Sequence, residues 1–446
     1  MTKMRKLLAA IAIVLLQITC LYAQQKTVSI AGQLIHFNNQ VVVEDMSEFQ
    51  YLDIPMPDHV IVADSTGKFS ISFKLSSPNY FRLGRNILYL TPGDNLVATI
   101  DKNNAVKSTF AGAGADANTY LCNTPFPKAA SYLEAGTNIR SSPLQTLQIL
   151  MDAAAKRQQQ LSEVKNVSAE FRRLETARIK ADVLNSIKGV SSYATNNKNV
   201  TTPDEYIKTF NGLSDSIRTV YEKNFIDASL MKLVVYRDIA DELVEHAAGA
   251  DVQKIKDWYK ASDIVDQLNH ENDKAQVAAY SKTIDSVKTA GYHIALKKHL
   301  QNLLQFGKGD MAADFTAVDV NDKRVALSNL KGKVIYVDIW ATWCGPCLAE
   351  MPHLEEIKNK YSNNPNVVFV SLSIDDDAQA DAWKNNVAAR KAGGLQWQIN
   401  REKLNTYNIT TIPRTLLIDK NFKMVSMSAP LPSSKDLPAA IDGLVN

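Results

Sequence analysis

An amino-terminal β-sandwich, a central α-helical domain and a carboxy-terminal α/β domain are predicted for this chain from three shifts in residue pattern. Residues 27–112 carry short β-branched and aromatic runs broken by turn residues. Residues 116–305 carry apolar residues at helical spacing with few glycines and prolines, and from Phe306 apolar strands alternate with helical segments. At 446 residues, 45% hydrophobic and 22% charged, the composition is globular and the length suits about three domains.

Ahead of these regions, Lys3, Arg5 and Lys6 precede the uncharged run Leu7 to Leu16 and then Leu21-Tyr22-Ala23 before Gln24. That is the basic, apolar, small-residue order of a secretory leader, here residues 1–23. About 20 apolar residues are needed to span a bilayer, so the run fits a cleaved leader better than an anchor. Export is therefore expected. Membrane attachment would require lipidation at Cys20, where Gln17-Ile18-Thr19 lacks the small residues a lipoprotein peptidase prefers. The formal charge of +3 is 50 basic minus 47 acidic residues, and the leader removes three basic ones. The near-zero balance left gives no electrostatic case for nucleic acid.

For residues 24–114 the expected strands are Val28 to Ile35, Val60 to Ala63, Phe69 to Phe73, Ile87 to Leu90 and Leu96 to Ile100. Asp64-Ser65-Thr66-Gly67 and Thr91-Pro92-Gly93-Asp94 supply reversals, and such spacing argues for a small sandwich. Gly112-Ala113-Gly114-Ala115-Asp116-Ala117 resembles a phosphate-cradling loop only superficially, because no β-α-β unit surrounds it; a turn between domains is the preferred reading.

Residues 115–305 read as the helical domain, with apolar positions such as Leu161, Val164, Phe171, Leu174 and Val183 at helical spacing. Thr202-Pro203-Asp204-Glu205 reads as a helix start: a capping hydroxyl, a proline that needs no donor there, and an acid in the first turn. No constellation in this region suggests chemistry. His246, His270, His293 and His299 lack paired one-turn spacing, so no metal is expected.

Residues 306–446 alternate. Phe315 to Val320 and Arg324 to Leu327 form a hairpin, Val334 to Ile339 a buried strand, and a helix runs to about Tyr361. Val367 to Ile374 is a strand, a helix covers about Asp377 to Ala392, and Thr415 to Asp419 and Lys423 to Met427 form a second hairpin before a last helix beyond Ser434. The implied core is a mixed sheet.

The chemistry sits in Trp343-Cys344-Gly345-Pro346-Cys347, where the buried strand hands over to a helix. Without the leader, the thiols are Cys122, Cys344 and Cys347, too few to staple an exported chain of this size. The pair is therefore read as a working dithiol and Cys122 as a small buried apolar residue. At the first turn of its helix, Cys344 meets unpaired backbone donors and the positive end of the helix dipole, which favour the thiolate. Cys347, a turn further in, is expected to stay protonated until it attacks. Gly345 keeps the approach open, Pro346 suits a helix start, and Trp343 offers apolar cover for the sulfur.

From Val337 through Pro352 the sequence resembles the thioredoxin superfamily, and within it the TlpA/ResA-like thiol-disulfide oxidoreductases; Tyr407 through Asp419 matches the family's second landmark. The resemblance implies a thioredoxin fold over about Gly309 to Asn446. It also implies that Asp338 is the buried carboxylate taking the proton of Cys347, and that Pro413 is a cis proline leaving the backbone of Ile412 free to pair with substrate. Glu350 matches the acid of the helix after the thiols, though its position equally fits a solvated glutamate. No cofactor or metal is implied, since the two sulfurs carry the electron pair. Ala313 departs from the family, which commonly has proline there, and this touches the entry loop rather than the thiols. Ile87 to Asp94 with Phe110 to Ala115 resembles the amino-terminal β domain attached to exported thioredoxin-like proteins of Bacteroidetes-type bacteria, which with the leader implies the periplasm or cell envelope of a Gram-negative bacterium. His353 reads as a surface residue and Asp375-Asp376-Asp377 as a helix-capping loop.

Two functional classes follow. The first is an exported oxidoreductase that reduces protein or peptide disulfides and draws electrons from an upstream donor. The second is a cell-envelope binding or assembly module with an accessory redox domain, since about two thirds of the chain carries no catalytic pattern. A peroxidase is disfavoured because Thr342 stands two residues before Cys344 rather than three.

Overall fold

The computed structural model describes residues 26–37, 40–52, 59–271, 274–375, 379–409 and 412–445. Residues 1–23, expected as a leader, with Cys20, and Asp376 and Asp377 lie outside the described residues. The chain divides into two compact units, residues 1–50 with 56–256, and residues 51–55 with 257–446.

The first unit opens with β1 (Lys26–Ile35), β2 (Gln40–Val42), β3 (Glu44–Asp45), β4 (Val60–Val62), β5 (Lys68–Leu75), β6 (Asn79–Leu83), β7 (Asn86–Leu90), β8 (Asn95–Asp101) and β9 (Thr109–Gly112). They form sheets in the orders β5-β1-β8-β9, β3-β6-β7 and β2-β4. Val28, Ile30, Phe69 and Leu96 of the first share one apolar cluster with Phe81 and Leu88 of the second. Gly112 ends β9 and Gly114 starts α1 (Ala115–Leu121). Because β9 runs antiparallel to β8, this glycine segment is a turn and not a β-α-β phosphate loop.

Helices α2 (Pro143–Glu163), α3 (Ala169–Thr195), α4 (Pro203–Glu222), α5 (Val234–Arg237) and α6 (Ala240–Val244) follow, and α7 (Ala250–His270) runs across the division. Ser168 caps α3 by accepting from the Phe171 amide. The cap expected at Thr202 is absent: its exposed hydroxyl makes no bond to the helix, and α4 starts on the proline and on two first-turn acids. Helix α3 also buries a polar network unforeseen from sequence. Arg157 pairs with Glu175 at 3.1 Å and with Asp182, and Tyr80 donates to Glu175 at 2.8 Å. Two carboxylates against Arg157 and Arg178 leave little net charge, so the burial of all four is tolerable.

The second unit adds α8 (Lys274–Ile284) and α9 (Ala290–Gln305), and then β10 (Thr316–Asp319), β11 (Arg324–Ala326), β12 (Val334–Trp340), α10 (Gly345–Lys360), β13 (Val367–Ser373), α11 (Ala380–Arg390), β14 (Leu395–Gln398), β15 (Arg414–Ile418), β16 (Met424–Ser426) and α12 (Leu437–Val445). The strands form one mixed sheet in the order β11-β10-β14-β13-β12-β15-β16. Strand β12 pairs parallel with β13 and antiparallel with β15, and all seven of its residues are buried. Such a strand, covered on both faces, reads as a continuous apolar run rather than an alternation.

In the first unit, Gly32 has φ 149°, and a Cβ there would lie 1.8 Å from the carbonyl oxygen of Ala98 on β8. Gly32→Ala is expected to force β1 and β8 apart and to destabilise this unit by about 3 kcal/mol. Denaturant unfolding of the full chain would read this as an earlier transition for one unit; an unshifted midpoint would contradict the close approach.

Candidate active site

Buried β12 ends at Trp340, and within four residues the chain has entered α10, whose N-cap is Cys344. Cys344 and Cys347 are joined as a disulfide with their Cα atoms 5.3 Å apart, and the Cys347 amide donates to the Cys344 sulfur at 3.2 Å. That amide is one of the donors a helix start leaves without an internal partner. Cys344 is 5% exposed and Cys347 1%, so Cys344 is the outer of the two sulfurs. A Cβ on Gly345 would meet nothing within 4 Å, which keeps the approach clear, and Pro346 lies in the first turn. Trp343 is largely exposed beside them.

The Ile412–Pro413 bond is cis. Pro413 directly precedes β15, and because Arg414 stands opposite Ile339 in the β12 register, Pro413 comes to the sheet end where β12 gives way to Cys344. The same register places Asp338 opposite Thr415 on one side and Ser371 of β13 on the other. Cys344, Cys347, Pro413 and Ile412 thus collect at the carboxyl end of β12, with Asp338 inside the sheet two residues short of it.

Asp338 is 3% exposed, and among the described residues no donor is bonded to its carboxylate. Burial pushes its pKa up from 3.8 to about 7; the Lys358 ammonium opposes this, Glu350 adds to it, and the Arg390 guanidinium opposes it more weakly. Lys358 was not singled out from sequence. It donates to Glu355 and to the Gly393 carbonyl, both at 2.8 Å, and reaches the Ser371 hydroxyl at 3.3 Å. A signal was present: Lys358 shares the buried face of α10 with Cys347, Met351 and Leu354, where a lysine is out of place. Arg390 of α11 stacks over Trp340 at 4.7 Å.

Asp375, expected to cap a helix, does something else. It is 1% exposed and accepts from the Thr342 amide at 2.9 Å, the Thr342 hydroxyl at 2.8 Å and the Ser373 hydroxyl at 2.7 Å. Lying just past β13, it meets the turn between β12 and Cys344 because Trp340 and Ser373 are register partners. Glu350 accepts from the Ser433 amide and hydroxyl, both at 2.9 Å, tying α10 to the segment before α12. His353 is half-exposed near Glu356, and Cys122 is a buried free thiol whose pKa burial pushes up.

A family model described as Redoxin matches residues 307–430. The thiol-disulfide oxidoreductase ResA of Bacillus thuringiensis (strain Al Hakam) is 33% identical over 126 residues, covering 27% of this chain and 68% of that protein. The chain belongs to the ResA-like thiol-disulfide oxidoreductases of the thioredoxin superfamily. The family's Bacillus subtilis (strain 168) ResA is 30% identical over 124 residues, covering 27% of this chain and 66% of its own. The solved thioredoxin domain of a thiol-disulfide oxidoreductase from Bacteroides vulgatus is 25% identical and covers 32% of this chain and 99% of its own, with a TM-score of 0.29. Family membership makes the carboxy-terminal sheet a thioredoxin-like fold and the chain a thiol-disulfide oxidoreductase.

A folded-state pKa near 7 for Asp338, above its ordinary 3.8, means that its contribution favours folding fully below about pH 4 and is lost as pH rises through 7. Asp338→Asn is expected to change stability by a constant amount below pH 4. Between pH 4 and 7 the difference should move in the variant's favour by on the order of 4 kcal/mol and flatten above. Thermal unfolding across this range checks it; a difference that does not vary with pH would contradict the buried, unbonded carboxylate.

Proposed function

We propose that this is an exported reductase of protein disulfides, with Cys344 as nucleophile and Cys347 as resolving thiol. The observation that carries the reading is the Cys344–Cys347 pair at the first turn of α10, with the outer sulfur accepting a backbone amide. A sulfur that accepts such a bond in its disulfide form has a donor waiting when it becomes anionic. The thiolate of Cys344 attacks one sulfur of the partner's disulfide, forming a mixed disulfide and releasing the partner's other sulfur as thiolate. Cys347 gives its proton to Asp338 and attacks Cys344; the internal disulfide forms and the second partner sulfur leaves. Two electrons pass to the partner, and an upstream dithiol donor must return them before the next turnover.

In this reading the backbone of Ile412, held by cis-Pro413, pairs with an extended substrate segment, and exposed Trp343 presents apolar surface to it. Glu350 acts by fixing α10 against Ser433. Asp338 suits its role because burial leaves it able to hold a proton near neutral pH. The leader-like residues 1–23 support a periplasmic or cell-envelope location, and kinship with the ResA-like oxidoreductases agrees with it. The amino-terminal sheets are read as the β domain attached to exported thioredoxin-like proteins of Bacteroidetes-type bacteria, and residues 24–114, 115–305 and 306–446 as the three domains.

Cys344→Ser is expected to abolish insulin reduction by the full chain. Cys347→Ala should accumulate a mixed disulfide that non-reducing electrophoresis detects and dithiothreitol dissolves. Insulin reduction that persists in Cys344→Ser would reject the assigned nucleophile.

A further inference from the structure

We propose that a small cavity lined by Asn408 and Arg414 is a binding site for a carboxylate. The cavity, about 20 Å³, is lined by Asn408 and Arg414 with Glu271, Lys274, Phe306 and Tyr407 among its walls. With about 10–15 Å³ needed per water, that is space for one to two oxygens, so a head group enters with its oxygens alone and no larger organic molecule fits inside.

Arg414 is 6% exposed, yet among the described residues no carboxylate pairs with it. One guanidinium nitrogen donates to the Asn269 carbonyl at 2.6 Å, while Nε is buried with no acceptor. A buried cation without a counter-charge is costly, and the cost shows as a pKa pulled down to about 10 by burial. Asn408 faces the same space. Its backbone sits at φ 46°, which asparagine tolerates, and its Nδ2 is likewise buried without an acceptor. Two orphaned donors, one of them charged, converge on one cavity and call for an acceptor with negative charge; a carboxylate offers an oxygen to each.

The remaining charges set the strength. Lys274 is engaged by Asp310, and Glu271, which accepts from the Tyr280 hydroxyl at 3.4 Å, is the acid that opposes an incoming anion. Arg414 directly follows Pro413 and Asn408 precedes Ile412 by four positions, so an occupant would touch both ends of the segment that presents backbone to substrate. The carboxylate comes from an acidic residue of the disulfide-bearing polypeptide or from a free small acid. The first source rests on the function proposed above; the site itself does not.

Thermal unfolding of the full chain in sodium acetate, against sodium chloride at equal ionic strength and pH 7.5, tests the site directly. Acetate should raise Tm along a saturating curve. Glu271→Gln, by removing a like charge, should bring the half-saturating acetate concentration down about fivefold. Arg414→Met should lose the response. Should that variant fail to fold, Asn408→Asp carries the test, because it keeps shape and backbone preference while setting a carboxylate in the cavity; it too should lose the response. Equal Tm in both salts, or an acetate response surviving in Asn408→Asp, overturns the proposal. Disulfide peptides differing by Glu or Gln beside the cysteine then separate the sources. A lower KM for the Glu peptide, erased by acetate, assigns the substrate; an acetate response without that preference assigns the free acid. An acetate response with no reduction of any peptide would count against the redox function and leave the site standing.

Discussion

Burial of β12 along its whole length is the constraint from which the placement of the reactive groups follows. Hydrogen bonded on one side to β13 and on the other to β15, the strand cannot slide without unpairing both neighbours and turning its apolar set over. Its carboxyl end therefore has one position. The parallel neighbour brings Asp375 to that end, the antiparallel neighbour brings Pro413, and the chain itself turns there into Cys344. Loops from three strands meet at one sheet end because of strand direction, the usual place for a site on an open α/β sheet.

Two residues short of that end, the directions of two shifts say which force prevails. If attraction between Asp338 and Lys358 dominated, the carboxyl would be held below its ordinary value and the ammonium above. Instead burial pushes Asp338 up and Lys358 down, so both are moved toward their neutral forms. Loss of solvation outweighs the ion pair. A carboxylate in that condition gains and gives up a proton near neutral pH with little penalty, which a group locked in a strong salt bridge could not do. The hydrogen bonds of Lys358 to Glu355 and Gly393 hold the ammonium in place without delivering it onto Asp338.

What the sequence made legible divides along the same physical lines. Strands buried on both faces, such as Val334–Trp340 and Val367–Ser373, announce themselves by continuous apolar runs, and the two thiols by their spacing at a strand-to-helix junction. Leu395–Gln398 does not announce itself, because two of its four residues are glutamines; both are buried, with Gln396 donating to the Gly393 carbonyl and Gln398 to the Asp375 carbonyl. The network around Arg157 was equally hidden, since its members are Tyr80, Glu175 and Asp182 and meet only after folding. Lys358 left a trace on the apolar face of its helix; Arg414 and Asn408 left none, since an orphaned donor is defined by what surrounds it.

Asp338 and Asp375 make the point within a single sheet. Each is an acid almost wholly removed from solvent, on or just beyond adjacent strands, and local sequence does not distinguish their tasks. Asp375 is met by an amide and two hydroxyls, so its oxygens are fully occupied in holding Thr342 and hence the turn into Cys344. Asp338 is met by no donor among the described residues, so burial outweighs the opposing charges of Lys358 and Arg390 and pushes its pKa up to about 7. Donors turn a buried carboxylate into an anchor, and their absence turns it into a base. An acid in an apolar strand thus signals that something uses it; which use it has is decided by atoms contributed from elsewhere in the fold.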